Sequence, residues 1–229
     1  LGPLTGVDAP HAVRVDPDFA AEKTCESCHQ LEAPPFFHLE RDLIDTVGEW
    51  REWKSLTGRE ESCVDCHMPT VTRPLVPQGP DRVGRRHVFH GLSDEAFMSS
   101  ALDLEQVEGP GGALAVLVRN KAGHRIPSGE FAHRLWIDLT CEGPTAGRSS
   151  ERWELGREIR NRRELWDTSL APAEERVVTF SLSMDEPAGS CEVKAWFQKM
   201  GQDLHRLAEA GMSESDARTL IGKLSLEIP

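Results

Sequence analysis

The chain contains no tyrosine, and no apolar run in its 229 residues approaches the ~18 consecutive positions of a membrane-spanning helix. Basic charge is scarce. Twenty-six Lys and Arg against 38 Asp and Glu give a formal net charge of -12, which argues against nucleic acid and anionic lipid as partners. No Ser-His-Asp pattern, glycine-rich phosphate loop or zinc-protease helix is present. The chain opens at Leu1 without a start methionine or a charged-then-apolar leader, so a mature or trimmed product is expected. The aromatic inventory rests on phenylalanine and on tryptophans 50, 53, 136, 153, 166 and 196, whose ordinary role is packing.

What is present is more specific. Cys25-Glu26-Ser27-Cys28-His29 and Cys63-Val64-Asp65-Cys66-His67 are two copies of Cys-x-x-Cys-His, the attachment sequence of covalent c-type haem. Two thiols at this spacing each add to one vinyl group of a single porphyrin, and the adjacent histidine ligates the iron from the proximal side. At this composition one chance copy is expected about 0.006 times. The competing chemistry is a Cys₄ zinc site, but zinc has no need of a histidine after each second cysteine. Two covalently attached c-type haems are therefore expected, and with them export to the periplasm or beyond. The remaining cysteines, Cys141 and Cys191, lie beside strand-like runs and are expected to form a disulfide between neighbouring strands.

Along the chain, residues 1–20 are rich in Gly and Pro and read as an irregular arm. Residues 21–108 read as a dihaem domain of helices and loops. Within it Leu39, Leu43, Val47 and Trp50 mark one face of a helix from His38 to Leu56, and residues 69 to 92 read as a long loop. A short helix is expected from Ser93 to Leu104. Gly109-Pro110-Gly111-Gly112 is the clearest boundary, and residues 113–200 then alternate as strands at 113–119, 134–140, 176–183 and 192–197. Residues 201–229 read as a helical tail. The fold class expected is thus α+β: a helical and loop haem-binding domain, an all-β immunoglobulin-like sandwich, and a short C-terminal helical tail.

Seven histidines remain for the distal iron positions: His11, His38, His87, His90, His124, His133 and His205. Three segments in order, Cys63-Val64-Asp65-Cys66-His67-Met68-Pro69, Arg86-His87-Val88-Phe89-His90-Gly91 and Asn120-Lys121-Ala122-Gly123-His124-Arg125-Ile126-Pro127-Ser128-Gly129, resemble landmarks of multihaem c-type cytochromes. The resemblance covers roughly residues 22 to 200, with Ala122 and Ser128 departing from the family pattern. It implies His87 and His124 as distal ligands, with His90 and His38 in reserve. The pairing expected is His29 with His124 and His67 with His87. His133 and His205 read as surface residues, Met68 is too near His67 to cross the ring, and Met98, Met184 and Met200 have no support. Arg82, Arg85 and Arg86 read as solvated loop or as partners of haem propionates.

The function this implies is an exported dihaem cytochrome passing single electrons between redox proteins, with both irons six-coordinate and bis-histidine. An acidic carrier of this kind suits redox partners with a basic docking face. Two alternatives stay open. One is a haem enzyme, a peroxidase or small-molecule oxidoreductase, with one open iron and His90, Arg85 and Arg86 lining its pocket. The other is a haem-bearing subunit that self-assembles into a larger multihaem complex or filament.

Overall fold

The computed structural model, described over residues 11–16, 18, 22–74, 77–143, 148–181, 189–199, 211, 213 and 217–227, is rich in antiparallel strands. The N-terminal part carries α1 (Glu22–His29), β1 (Gln30–Leu31), β2 (Ile44–Asp45), α2 (Thr46–Thr57), α3 (Cys63–His67), β3 (Thr70–Pro74), β4 (Asp81–Arg85) and α4 (Glu95–Ser99). Then follow β5 (Leu102–Glu108), β6 (Leu114–Asn120), β7 (Arg134–Glu142), β8 (Arg148–Arg160), β9 (Arg163–Asp167), β10 (Glu175–Thr179), β11 (Ser190–Gln198) and β12 (Arg218–Leu226). These last eight strands make two sheets, ordered β10-β6-β5 and β12-β11-β7-β8-β9.

The alternation that predicts strands at β6, β7, β10 and β11 also fixes which faces meet. On β11, Cys191, Val193, Ala195 and Phe197 are buried while Glu192, Lys194 and Trp196 are less so, the two-residue period of a strand with one face inward. Leu135, Ile137, Leu139 and Cys141 of β7 do the same, and with Val116, Val118, Val178 and Ile221 they form one apolar core drawn from both sheets. Each such side chain contributes about 1.5–3 kcal/mol by leaving water. Gly222 of β12 lets the second sheet close on the first, because a Cβ there would stand 2.9 Å from the Leu104 side chain. Cys141 and Cys191 sit opposite each other in the β7–β11 ladder and are joined by a disulfide.

Several sequence expectations change. The tail is not wholly helical: 218–226 is a strand paired along β11, while 200–210 and 214–216 lie outside the described residues. Leu220 and Leu224, four residues apart, fit one face of a helix as well as one face of a strand, and the open edge of β11 decides between them. The 93–104 helix stops at Ser99, because Leu102–Glu108 pairs with β6; Gly109–Gly112 is accordingly a hairpin connection inside a sheet. The 69–92 loop contains the β3–β4 hairpin. The 38–56 helix begins only at Thr46, so Leu39 and Leu43 precede it. β8 escapes notice in the sequence because most of its residues are polar, and cross-strand pairs such as Arg152–Asp138 and Arg134–Glu154 hold them in place.

Leu135→Ala is expected to cost about 2–5 kcal/mol of unfolding free energy, from lost burial plus the cavity left in the shared core. Urea denaturation should show the midpoint fall with an unchanged m-value.

Candidate functional site

Both Cys-x-x-Cys-His segments fold as short helices, α1 and α3, with their histidines at the C-terminal ends. In α3 the Asp65 carboxylate accepts from the Ser62 N–H at 2.9 Å and the Ser62 hydroxyl at 2.7 Å, which fastens the first turn. Arg85 of β4 also binds Asp65 and reaches the Val64 and Met68 carbonyls, both at 3.4 Å. Arg85 therefore ties the hairpin to α3, a structural use that competes with the propionate role read from sequence. The Ser62 bonds and then Arg85 hold the Asp65 carboxyl down to about 2. The four motif cysteines are free thiols. Burial first, then the neighbouring Cys25 thiol, pushes the Cys63 thiol up to about 11. The first cysteines of the two motifs are thus neighbours, bringing both attachment segments into one cluster.

His124 is presented on the loop after β6. Asn120, buried at the end of that strand, donates through Nδ2 to the His124, Leu170 and Ala171 carbonyls at 2.8, 3.2 and 2.9 Å, while its Oδ1 accepts the Ala122 N–H at 2.8 Å. Beyond His124, Ile126 exchanges backbone hydrogen bonds with Leu170, and a cis Ile126–Pro127 bond leads to Gly129 at φ +80°, a conformation glycine adopts without strain.

The other side of this loop is held from α2. Glu49 is 3% exposed, and its carboxylate accepts the Arg125 N–H at 3.1 Å and the Ser128 hydroxyl at 2.5 Å. Its second oxygen receives Arg41 Nη1 at 2.5 Å, and Arg41 Nη2 binds Asp167 of β9 at 2.5 Å. Arg157 completes the seam by donating to the Asp42 and Arg41 carbonyls and to Glu164. Trp53 covers Gly123, 3.6 Å from where a Cβ would sit. None of Glu49, Arg41 and Asp167 is visible as a site residue in the sequence, since their partners are far apart along the chain.

The histidine rings fall into a pattern. His67 and His124 have ring centroids 6.4 Å apart and planes within 15° of parallel. His67 Nδ1 faces the His90 carbonyl at 2.5 Å, and His124 Nδ1 faces the Arg125 carbonyl at 2.9 Å. His90 Nδ1 binds the Asp94 carboxylate. In all three the Nδ1 is engaged, which leaves Nε2 as the nitrogen that could meet a metal, an arrangement that metal-ligating histidines adopt. Burial is the largest cause lowering the pKa of His67; the hydrogen bond to the His90 carbonyl opposes it, and the nearby His124, His29 and His90 add to the lowering, a direction that suits a neutral imidazole.

This donor set fits a haem group. Two imidazoles with their nitrogens each about 2 Å from one metal atom have ring centres a little over ~6 Å apart, a spacing that the 6.4 Å centroid separation accommodates. The ring set near His124 is that of His67, whereas the sequence reading pairs His124 with His29. His87 is exposed and makes none of these contacts, whereas His90 is half-buried and oriented by Asp94. His38 is exposed and joined through its backbone to the β8–β9 turn. His133 is half-buried, bonded to the Ser128 carbonyl at 2.8 Å and set against Phe197, while His11 is exposed. His205, Met184 and Met200 lie outside the described residues; Met98 is buried in the apolar core.

Neither a protein-family model nor a curated protein sequence matches the chain. Among solved structures, it matches a penta-heme cytochrome c552 from Thermochromatium tepidum with a TM-score of 0.70 at 16% identity. The match covers 93% of this chain and 57% of that one. The chain therefore has a multihaem-cytochrome-like fold and spans somewhat over half the length of that structure. Among the described residues, no helix is long and apolar enough to cross a membrane.

Two outcomes follow from the polar contacts. Glu49→Ala should cost about 3–5 kcal/mol, because it removes one of the two carboxylates bound by Arg41 and the acceptor of two donors of the His124 loop; chemical denaturation against Glu49→Gln measures it. The Asp65 carboxyl, lowered from 3.8 to about 2, stabilises α3 fully above pH 4 and progressively less as pH falls towards 2. Asp65→Asn should abolish that part of the acid dependence in circular-dichroism melts taken between those values.

Proposed function

We propose that this chain is an exported dihaem c-type cytochrome that passes single electrons between redox proteins. Cys25 and Cys28 would hold one haem with His29 as proximal ligand, and Cys63 and Cys66 the other with His67. His124 would close the far side of the His67 site, and His90, set by Asp94, is preferred over His87 for the His29 site. Residues 21–108 would then supply most of the haem contacts and the 113–200 strands one distal ligand. The observation that carries this reading is the 6.4 Å facing of His67 and His124, two histidines from distant segments with their Nδ1 atoms already engaged.

The bound group would supply reversible one-electron chemistry at iron, and the chain's own residues do the rest. His67 and His124 would both supply an imidazole nitrogen to the bound group, which favours a six-coordinate carrier over an open catalytic centre. Glu49, Asn120 and Trp53 fix the loop that aims His124. The adjacency of Cys25 and Cys63 keeps the two attachment sites close enough to suit exchange between them. The likeness to a penta-heme cytochrome supports the same reading at the level of fold.

Mass spectrometry of the exported, haem-loaded protein should show the mass of two haems. Electron paramagnetic resonance of its oxidised form should show two low-spin centres. His124→Ala should convert one of them to high spin, and His90→Ala the other, while His87→Ala changes neither. A large high-spin signal in the parent protein, with rapid peroxide or carbon monoxide binding, would instead establish the enzyme reading.

A further inference from the structure

Arg125 follows His124 in the chain and stands apart from the other shielded cations. The side chains of Arg41, Arg134 and Arg157 are 18%, 12% and 7% exposed, and each guanidinium is hydrogen-bonded to carboxylates or carbonyls. Arg125 is similarly shielded at 19%, yet its Nε is buried and makes no hydrogen bond. Its nearest carboxylate, Glu52, stands 3.8 Å from Nη2, beyond hydrogen-bond reach. Glu49 offers no relief, because its two oxygens are taken by Arg41, the Ser128 hydroxyl and the Arg125 backbone N–H.

A buried donor left without an acceptor costs about 1–3 kcal/mol, and more when it is charged. Loop anchoring does not explain that cost, since the loop is anchored through the Arg125 backbone and not its side chain. An acceptor arriving with a ligand does explain it. The guanidinium fork is shaped for a carboxylate, which it binds through two parallel N–H donors. Arg125 is one residue past the proposed distal ligand, so a group bound by His124 would lie within reach of its side chain.

We infer that Arg125 receives a propionate carboxylate of the haem ligated by His124, and that its positive charge raises the reduction potential of that haem. This rests on the reading that His124 is a haem ligand. A cation fixed beside the iron disfavours the oxidised, more positive form, so its removal shifts the equilibrium towards oxidation. Arg125 is a positioning and tuning residue here, and the coordination of the iron is left to the histidines.

The test uses the fully loaded protein and its Arg125→Gln and Arg125→Lys variants, with potentials measured by spectroelectrochemistry and propionate bending bands by resonance Raman. The affected haem is identified as the one that His124→Ala turns high-spin. Arg125→Gln should weaken reduction of that haem about tenfold, a 59 mV fall for one electron, and shift its propionate band while the spectrum stays low-spin. Arg125→Lys, which keeps charge and loses the fork, should move the same band with a smaller fall in potential. If Gln prevents haem loading, the Lys variant decides on both readouts. Parent-like potential and band, or a shift confined to the other haem, would overturn the inference. If His124→Ala leaves both haems low-spin, the ligand reading itself fails, whichever way Arg125 behaves.

Discussion

One buried carboxylate joins the two halves of this molecule. Glu49 sits on a helix between the two Cys-x-x-Cys-His segments, and it binds the loop that presents His124 from the β-layer. Without compensation a carboxylate this deeply buried is strongly unfavourable. Arg41 neutralises it, and Asp167 from a distant strand shares Arg41 in turn. The network is satisfied only when the N-terminal segment and the strands are docked in one arrangement. That requirement gives the site a defined geometry before any group is bound.

The consequence is a site shared by distant parts of the sequence. Half of it, four thiols with His29 and His67, is encoded in two five-residue segments. The other half depends on a loop held from below by Asn120 and from above by Glu49 and Trp53. Ligation through His124 would add a further tie between the same elements, so haem loading and docking should reinforce each other. The N-terminal segment has little apolar core of its own; among its described residues only Val47, Trp53 and Met98 are buried hydrophobics. Porphyrin faces are well suited to supply the missing apolar surface.

The sequence makes some of this plain and hides the rest, for physical reasons. The two Cys-x-x-Cys-His segments are legible because each is contiguous in the chain and folds as one short helix. β6, β7 and β11 are legible because one buried face imposes a two-residue alternation. β8 is hidden because its stability lies in cross-strand charge pairs, such as Arg152 with Asp138. β12 is hidden because the four-residue spacing of Leu220 and Leu224 suits either period and only the edge of β11 selects the strand. The Arg41–Asp167 bond spans 126 residues, beyond any local pattern. The facing of His67 with His124 is of the same kind: each residue stands out alone, but their pairing is a property of the folded chain.

The central claim is that His67 and His124 are ligands of one iron. The most direct measurement is an anomalous-difference map, recorded at the iron absorption edge, from crystals of the mature haem-loaded protein. The account predicts two iron peaks, one of them between the Nε2 atoms of His67 and His124. An iron bound to His67 whose opposite side is occupied by His87, by water or by nothing, with His124 turned away, would contradict it.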